Sequence, residues 1–414
     1  MAAPGLLRHR NLRLFLASQL STNLAGQIVT VAVGWQIYDL TRDPLDLGIA
    51  GLVEFLPSLL LVLLTGQVAD RFDRRSVVIA CVIAEVLAVG VLLGYAGTGG
   101  RAVWPIFAVL AVLGIARAFW SPAERALLPN LVPRNILSPA IALNTSTWQA
   151  ATIVGPAMGG LLYGLGAEAV YGAAAALLVA GIVATAMIDR PPRVVGREPS
   201  DWQNLIAGFR FVWRERVVLG AISLDLFAVL LGGASALLPV FARDILEVGP
   251  WGLGLLRAAP GVGAVLTALY LARRPLVDRE GAIMFVCVAG FGLAASVFGL
   301  SVTPWLSILA LAVMGAADMV SVTVRETLIQ LWTPDRLRGR VNAVNMVFVG
   351  ASNQFGEFRA GVMAALIGAI AAVVVGGAGT VLVAGLWAVV FPELRRVRRL
   401  MEWPAAGETG PPRP

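Results

Sequence analysis

The sequence predicts an all-α integral membrane protein, with twelve transmembrane helices arranged as two pseudo-symmetric six-helix bundles. Three observations lead there. Hydrophobic residues make up 58% of the chain and charged residues only 14%, against about 25% charged in soluble domains. Apolar stretches of ~20 residues, each long enough to cross a bilayer, recur along nearly the whole length. Residues of the first half also reappear in the second at a constant offset of 201 positions.

Taken in order, the expected spans are roughly 13–38, 46–69, 76–97, 103–127, 138–163 and 169–188. A second set follows at roughly 217–242, 250–272, 281–301, 304–330, 341–367 and 370–391. This divides the chain into a first bundle at 1–190, a connecting segment at 191–216 and a second bundle with a basic tail at 217–414. The segment DRPPRVVGREPS is Pro-rich and charged, which is linker composition. After it, Trp202, Leu205, Ile206, Phe209 and Trp213 recur at helical spacing. They predict an amphipathic helix on the membrane surface; a plain continuation of the next span is the alternative.

The repeat pairs Trp104 with Trp305, Gly114 with Gly315 and Leu127 with Leu328. It also pairs Pro133 with Pro334, Asn144 with Asn345, Gly155 with Gly356 and Gly160 with Gly361. One shared offset across seven pairs indicates two related halves.

The net charge is +7, and every basic residue is Arg. A phosphate-binding loop requires Lys, so the chain is not the ATPase of a pump. The arginines cluster on one side of the predicted spans. Arg8, Arg10, Arg13, Arg71, Arg74, Arg75, Arg125, Arg134, Arg336, Arg338 and Arg340 fall on the side of the termini, and Arg42, Arg101 and Arg243 on the other. By the positive-inside rule both termini are cytoplasmic, and the basic charge faces anionic lipid, not nucleic acid. Cys81 and Cys287 lie in apolar stretches and the only histidine is His9. Neither a disulfide framework, a metal site nor a cofactor is expected, and no nucleophile–base pair with histidine points to an enzyme. The first apolar stretch is too long for a cleaved signal peptide.

Several ionisable residues fall inside predicted spans, where charge is costly and normally faces a polar cavity or a partner. Arg117, Trp120, Ser121 and Glu124 lie at i, i+3, i+4 and i+7, on one helix face. Asp318, Ser321 and Arg325 share a face in the second half. The offset maps Arg117 onto Asp318 and Glu124 onto Arg325, with the charge reversed each time. Gln19, Asn23 and Gln27, with Thr30 and Gly34, run along one side of the first span and are expected to line a cavity. Asn345, Asn353, Gln354 and Glu357 form a second polar row, in span eleven. Apolar surroundings drive a carboxyl toward its neutral form, so Asp225, Glu54, Glu357 and Asp318 are candidate proton carriers. A permanent pairing of Glu54 with Arg257 or Arg359 is the alternative, and Glu85 is expected at the periphery.

Residues 66–75, GQVADRFDRR, fit the pattern G-x-x-x-D-R-x-x-R-R through Gly66, Asp70, Arg71, Arg74 and Arg75. IVGPAMGG at 153–160 matches the tail of a second pattern, G-P-x-x-G-G, through Gly155, Pro156, Gly159 and Gly160. GIARAFWSPAERALLPNLVP at 114–133 and TPDRLRGRVNAV at 333–344 complete the set. On these motifs the chain resembles the major facilitator superfamily of secondary transporters. Within it, the chain is similar to the branch of enterobactin-type siderophore exporters and macrolide-type efflux proteins.

The resemblance implies alternating access around a site between the halves. It implies that Asp70, facing the start of helix eleven, and its arginines form a cytoplasmic gate together with Glu124 and Arg325. It associates the helix-five motif with exporters. Helices four and ten face each other across the cavity in this superfamily, which implies pairs Arg117–Asp318 and Glu124–Arg325; local pairs within each half are the alternative. The implied activity is proton-coupled export of a bulky organic small molecule by a monomer in a bacterial inner membrane. Metabolite uptake by symport, or a non-transporting receptor or assembly factor on the same scaffold, are the alternatives.

Overall fold

The computed structural model describes residues 6–189, 202–276 and 278–397; the side chains of 62, 63, 67, 69, 70 and 202–205 lie outside the description. Among the described residues the structure is helical throughout. The first half comprises α1 (Arg10–Thr41), α2 (Pro44–Leu60), α3 (Val62–Arg71), α4 (Arg74–Gly97), α5 (Trp104–Leu127), α6 (Leu137–Gly164) and α7 (Ala167–Ala186). The second half opens with α8 (Trp202–Arg214), α9 (Arg216–Gly232) and the short α10 (Leu238–Val240). It continues with α11 (Gly249–Arg273), α12 (Glu280–Leu300), α13 (Pro304–Trp332), α14 (Asp335–Ile367), α15 (Ala369–Val390) and α16 (Pro392–Arg395).

Local chemistry sets the ends. Asp43 caps α2 by accepting from the Leu45 amide at 2.9 Å, with Pro44 in the first turn. Asp73 caps α4, accepting from the Ser76 amide at 3.1 Å and its hydroxyl at 2.6 Å. The turns into α7 and α15 need Gly166 (φ 122°) and Gly368 (φ 87°), backbone angles that side chains disfavour.

Two predicted spans are interrupted. Span two breaks at Leu61, one turn after Pro57, which lacks an amide to bond the preceding turn. Span seven stops at Gly232. The chain then passes through extended Gly233, a 3₁₀ turn at Ser235–Leu237, α10 and a π-helical turn at Phe241–Ile245. Non-helical backbone at membrane depth is tolerated where it lines a cavity or is buried in protein, and this break does the former, as described below. Eight helical segments are long and apolar enough to cross a membrane by length and composition. The other four spans are α1, α2 with α3, α6 and α14. Helices α1 and α14 carry the polar rows noted above, α6 carries the polar residues Asn144, Thr145, Ser146, Thr147 and Gln149, and α2 is only 17 residues long.

The packing repeats with the sequence. Helix α1 packs on α6 and α7, as α9 packs on α14 and α15. Helix α4 lies against α5 and α7, as α12 lies against α13 and α15; α2 meets α5, as α11 meets α13. Two principal contacts join the halves and are images of each other, α6 with α11 and α14 with α2.

The repeated glycines mark these crossings. A Cβ on Gly114 would overlap the carbonyl oxygen of Glu54 on α2; one on Gly315 would overlap that of Pro260 on α11. Gly155 lies against Gln27 of α1, and its counterpart Gly356 lies against Val229 and Leu230 of α9. Gly160 meets Pro250 and Gly254 of α11, and Gly361 meets Pro44 and Gly48 of α2. Small residues let helix backbones approach where no hydrophobic force drives association.

Helix α8 covers α14. Gly208 sits against the Arg340 carbonyl, Val212 is buried, and Phe209 stacks on Phe348 with centroids 6.3 Å apart. Ile206, Phe209 and Trp213 remain partly exposed; the connection at 190–201 lies outside the described residues.

The apolar cores are unequal along the membrane normal. One continuous core crosses between the halves through Leu237, Leu253, Ala360 and residues of α1. Nearer the face where α1 begins, the terminal face, each half has its own core, around Leu12, Phe15 and Leu127 in one and Val218, Val324 and Leu328 in the other. The halves are thus joined at the far face.

Gly114→Val should lower the melting temperature by several degrees, since overpacking against backbone costs about 1–3 kcal/mol. Gly90→Val, where a Cβ meets nothing within 4 Å, is the control. Equal melting temperatures for the two variants in detergent would contradict the crossing assignment.

Candidate functional site

Three cavities hold the polar residues of the spans. The largest, ≈ 220 Å³, lies between α1, α4 and α5 and is lined by Asn23, Gln27, Glu85, Arg117, Trp120 and Ser121, with Thr22, Gly26 and Thr30. The expected cavity residues of the first half therefore converge, apart from Gln19. That side chain is buried and accepts a 2.9 Å hydrogen bond from Asn23 Nδ2, holding Asn23 in place. Glu85 corrects the sequence reading: instead of lying at the periphery it is buried and faces Arg117. Its polar neighbours sit on other helices, so periodicity within α4 gives no sign of it.

Arg117 forms an ion pair with Glu54 of α2. The crossing at Gly114 brings Glu54 alongside α5, and the Arg117 guanidinium lies over Gly26 of α1, 3.3 Å from where a Cβ would stand. A side chain at 26 would push it away.

The second cavity, ≈ 70 Å³, lies between the halves. Glu54 and Arg117 line it from one side; Arg257 of α11 and Glu357 of α14 line it from the other. Ala236 and Pro239 of the broken span seven complete the wall. Glu357 and Gln354 reach to within contact of Gly51 on α2.

The third cavity, ≈ 10 Å³, is buried in the second half and is lined by Asp225, Asp318 and Ser321. Asp225 forms an ion pair with Arg325; their side chains are only 10% and 4% exposed. This space is about that of one water.

The charge-reversed positions are therefore joined differently from what the resemblance implies. In this conformation Arg117 does not meet Asp318, nor Glu124 meet Arg325. Each arginine takes a carboxylate from its own half, Glu54 and Asp225 respectively. Glu124 accepts from Asn144 Nδ2 at 3.4 Å, while Asn345, the repeat partner of Asn144, donates to Glu326 at 2.8 Å. Asn thus finds an acid in both halves although the order Glu124–Arg125 is inverted to Arg325–Glu326. The expected alternative for Glu54 also differs: its partner is Arg117, while Arg359 donates to the Leu231 carbonyl. Asp225, Asp318 and Ser321 do not share a cavity with Asn23, Gln27 and Arg117.

The arginines of the 66–75 motif bind helix ends. Arg74 donates to the Ala126 carbonyl at 3.2 Å and Arg75 to the Thr185 carbonyl at 3.0 Å. Both are last-turn carbonyls, of α5 and α7, where a cation is favoured. Gly66 and Arg71 lie in α3; the Asp70 side chain lies outside the described residues. In the 153–160 motif Gly155, Pro156, Gly159 and Gly160 are all buried. Gly159 packs on Ile28 of α1, and Gly160 and the Pro156 carbonyl meet Gly254 of α11. The motif therefore builds one of the two principal contacts between the halves.

The sequence reading missed a polar latch at the far face. Asp244 accepts from Tyr38 Oη and lies 3.1 Å from Arg42, while Arg243 pairs with Asp39 and sits 5.2 Å above the Trp35 ring. One side of the latch is the end of α1; the other is the end of the broken span seven. Under the 201 offset Arg42 and Asp43 map onto Arg243 and Asp244, so the same Arg-Asp pair recurs at the ends of these two equivalent spans. That repetition was the available signal, a charge kept under the repeat where Arg117 and Asp318 show one reversed.

Two repeated helical bundles, with ionised groups enclosed within and between them, form a multi-pass membrane protein, and the family it matches is one of transporters, not enzymes. Residues 2–406 match a family model described as transmembrane secretion effector, and the chain belongs to this family of the major facilitator superfamily. The enterobactin exporter EntS of Escherichia coli O1:K1 is 29% identical over 394 residues, covering 93% of this chain and 92% of that protein. The same figures hold for EntS of Citrobacter koseri. Among solved structures, a variant of the nucleoside transporter NupG superposes with a TM-score of 0.71 at 15% identity, covering 92% of this chain and 100% of that one. A bacterial homologue of the iron transporter ferroportin, in an inward-facing state, gives 0.68 at 16%, covering 94% and 99%.

Two measurements check the site. Glu54→Gln strands a charge and should cost on the order of 2–4 kcal/mol, with Glu54→Gln/Arg117→Gln recovering part of it. Additive melting losses would show that the two groups are uncoupled. Asp244→Asn removes two contacts of the latch, each exposed ion pair contributing at most about 1 kcal/mol. It should speed labelling of Gly34→Cys by an impermeant maleimide several-fold in a background free of Cys81 and Cys287; an unchanged rate would show that the latch does not hold the far face closed.

Proposed function

We propose that this transporter exports a bulky organic molecule, a siderophore or an antibiotic, from a bacterial cytoplasm by proton-coupled alternating access. The terminal face is the cytoplasmic one on this reading, because the arginines concentrate there. The structure, joined at the far face, is then a cytoplasm-facing state ready to load cargo. Similarity to enterobactin exporters over 93% of the chain supports the direction and the cargo class.

The observation that carries the mechanism is the pair of enclosed ion-pair sites. Glu54–Arg117 borders both larger cavities, where cargo enters. Asp225–Arg325, with Asp318 beside it, is sealed away from them. A carboxylate in apolar surroundings exchanges its proton according to whether its cation is near. A shift of α13 against α9 within the second half during the cycle alters that distance, and so links proton binding at Asp225 and Asp318 to the conformational cycle. The arginine cluster at 66–75, with Glu124 and Arg325, forms the cytoplasmic closure in the opposite state. The protein works as a monomer in the inner membrane, with lipid, protons and cargo as its only necessary partners.

Reconstituted vesicles test this directly. Enterobactin and a macrolide, supplied in separate assays, should include one that moves in exchange for an imposed proton gradient. Asp225→Asn and Asp318→Asn should each cut that flux at least about tenfold. Flux indifferent to the gradient, or movement of both species in the direction of the protons, would overturn the proposal.

A further inference from the structure

The intramembrane arginines are answered unequally. Arg117 has Glu54, Arg325 has Asp225, and Arg359 has the Leu231 carbonyl and the Met363 sulfur. Arg257 has neither a carboxylate within ion-pair distance nor a hydrogen-bond acceptor among the described residues. It nevertheless lies in the seam between the halves, on the wall of the ≈ 70 Å³ cavity. An unanswered guanidinium at this depth is costly. Its neighbours reduce that cost only from a distance: Glu357 and Glu54 are within electrostatic reach of it. Of the two acids and two bases on this cavity, one pair is made and the other is left open.

We propose that Arg257 is the residue that binds an anionic oxygen group of the transported molecule, which makes the cargo an amphipathic organic anion. This rests on the transport reading above and narrows it to a substrate class. The dimensions agree. A cavity of ≈ 70 Å³ accommodates a carboxylate group. It shares Thr30 and Arg117 with the ≈ 220 Å³ cavity, whose Trp120 ring and Asn23, Gln27 and Ser121 side chains suit an aromatic body bearing polar groups. A guanidinium offers five donors in a planar fork that matches two-oxygen anions. Glu357, facing the same space from α14, opposes the anion by charge and sets how tightly it is held. Arg257 and Glu357 both line the cavity without an ion pair between them, whereas a purely structural Arg257 would close onto Glu357.

Equilibrium binding to the full-length protein in lipid nanodiscs tests this without any flux. The probes are naphthalene-2-carboxylate and the neutral naphthalene-2-carboxamide, which differ little beyond charge. The wild type should favour the carboxylate by about tenfold, the effect of one hydrogen-bonded charge pair. Arg257→Gln should bring the two affinities within about twofold, Arg257→Lys should keep part of the preference, and Glu357→Gln should tighten carboxylate binding several-fold. Melting curves establish that each variant is folded; if Arg257→Gln is not, the Lys and Glu357 variants decide. A carboxylate preference unaltered in Arg257→Gln, no preference in the wild type, or no saturable binding of either probe overturns the assignment. Failure of proton-driven flux with the preference intact and lost in Arg257→Gln would instead locate the error in the transport reading.

Discussion

A guanidinium held midway across a bilayer has to be met by an acid, a polar wall or water, because hydrocarbon offers nothing in return for its lost hydration. Much of this architecture follows from that requirement. Arg117 reaches Glu54 only because α5 crosses α2 at Gly114, where the missing side chain lets the two helices touch. Arg325 reaches Asp225 at a different crossing in the second half, where α13 and α9 meet. Each bundle thus neutralises its own deep charge. The seam between bundles is left with groups whose pairing is incomplete, which is the condition for a site that takes in and releases a ligand.

The two halves use one packing plan for different ends. Their glycine crossings coincide under the repeat, and so do the contacts that join them, α6 with α11 and α14 with α2. The chemistry hung on that plan diverges. The first half encloses a roomy cavity with Glu85, Arg117 and Trp120, while the second encloses a nearly filled one with Asp225 and Asp318. On the proposed function, the symmetric frame lets the bundles rock about a shared axis and the asymmetric interiors handle cargo and proton in separate places. The broken span seven serves both purposes, giving backbone to the central cavity and, at its end, Arg243 and Asp244 to the far-face latch.

The latch shows why a strong interface can be assembled from weak parts. Its ion pairs are half exposed and individually contribute little. The glycine contacts beneath them, Gly160 with Gly254 and Gly48 with Gly361, bring backbones together over a continuous apolar core. Packing closes the far face, and the charges at its rim fix the register. A closure made this way can reopen, since no single term is large.

What was legible in the chain follows the physics of each feature. The span count, the repeat, the glycine positions and the convergence of Asn23, Gln27, Arg117, Trp120 and Ser121 could all be read from it. Hydrocarbon thickness dictates segment length, and helical periodicity dictates which residues share a face. The partners of Arg117 and Arg325, the inward place of Glu85, the break after Gly232 and the latch of Tyr38, Asp39, Arg243 and Asp244 could not. Each depends on how far one helix stands from another and at what rotation, and many arrangements of the same faces satisfy the bilayer equally well. The linear chain determined which groups had to be hidden from lipid; only the folded bundles decided which of them meet, because an ion pair is a matter of a few ångströms between helices that lie far apart in sequence.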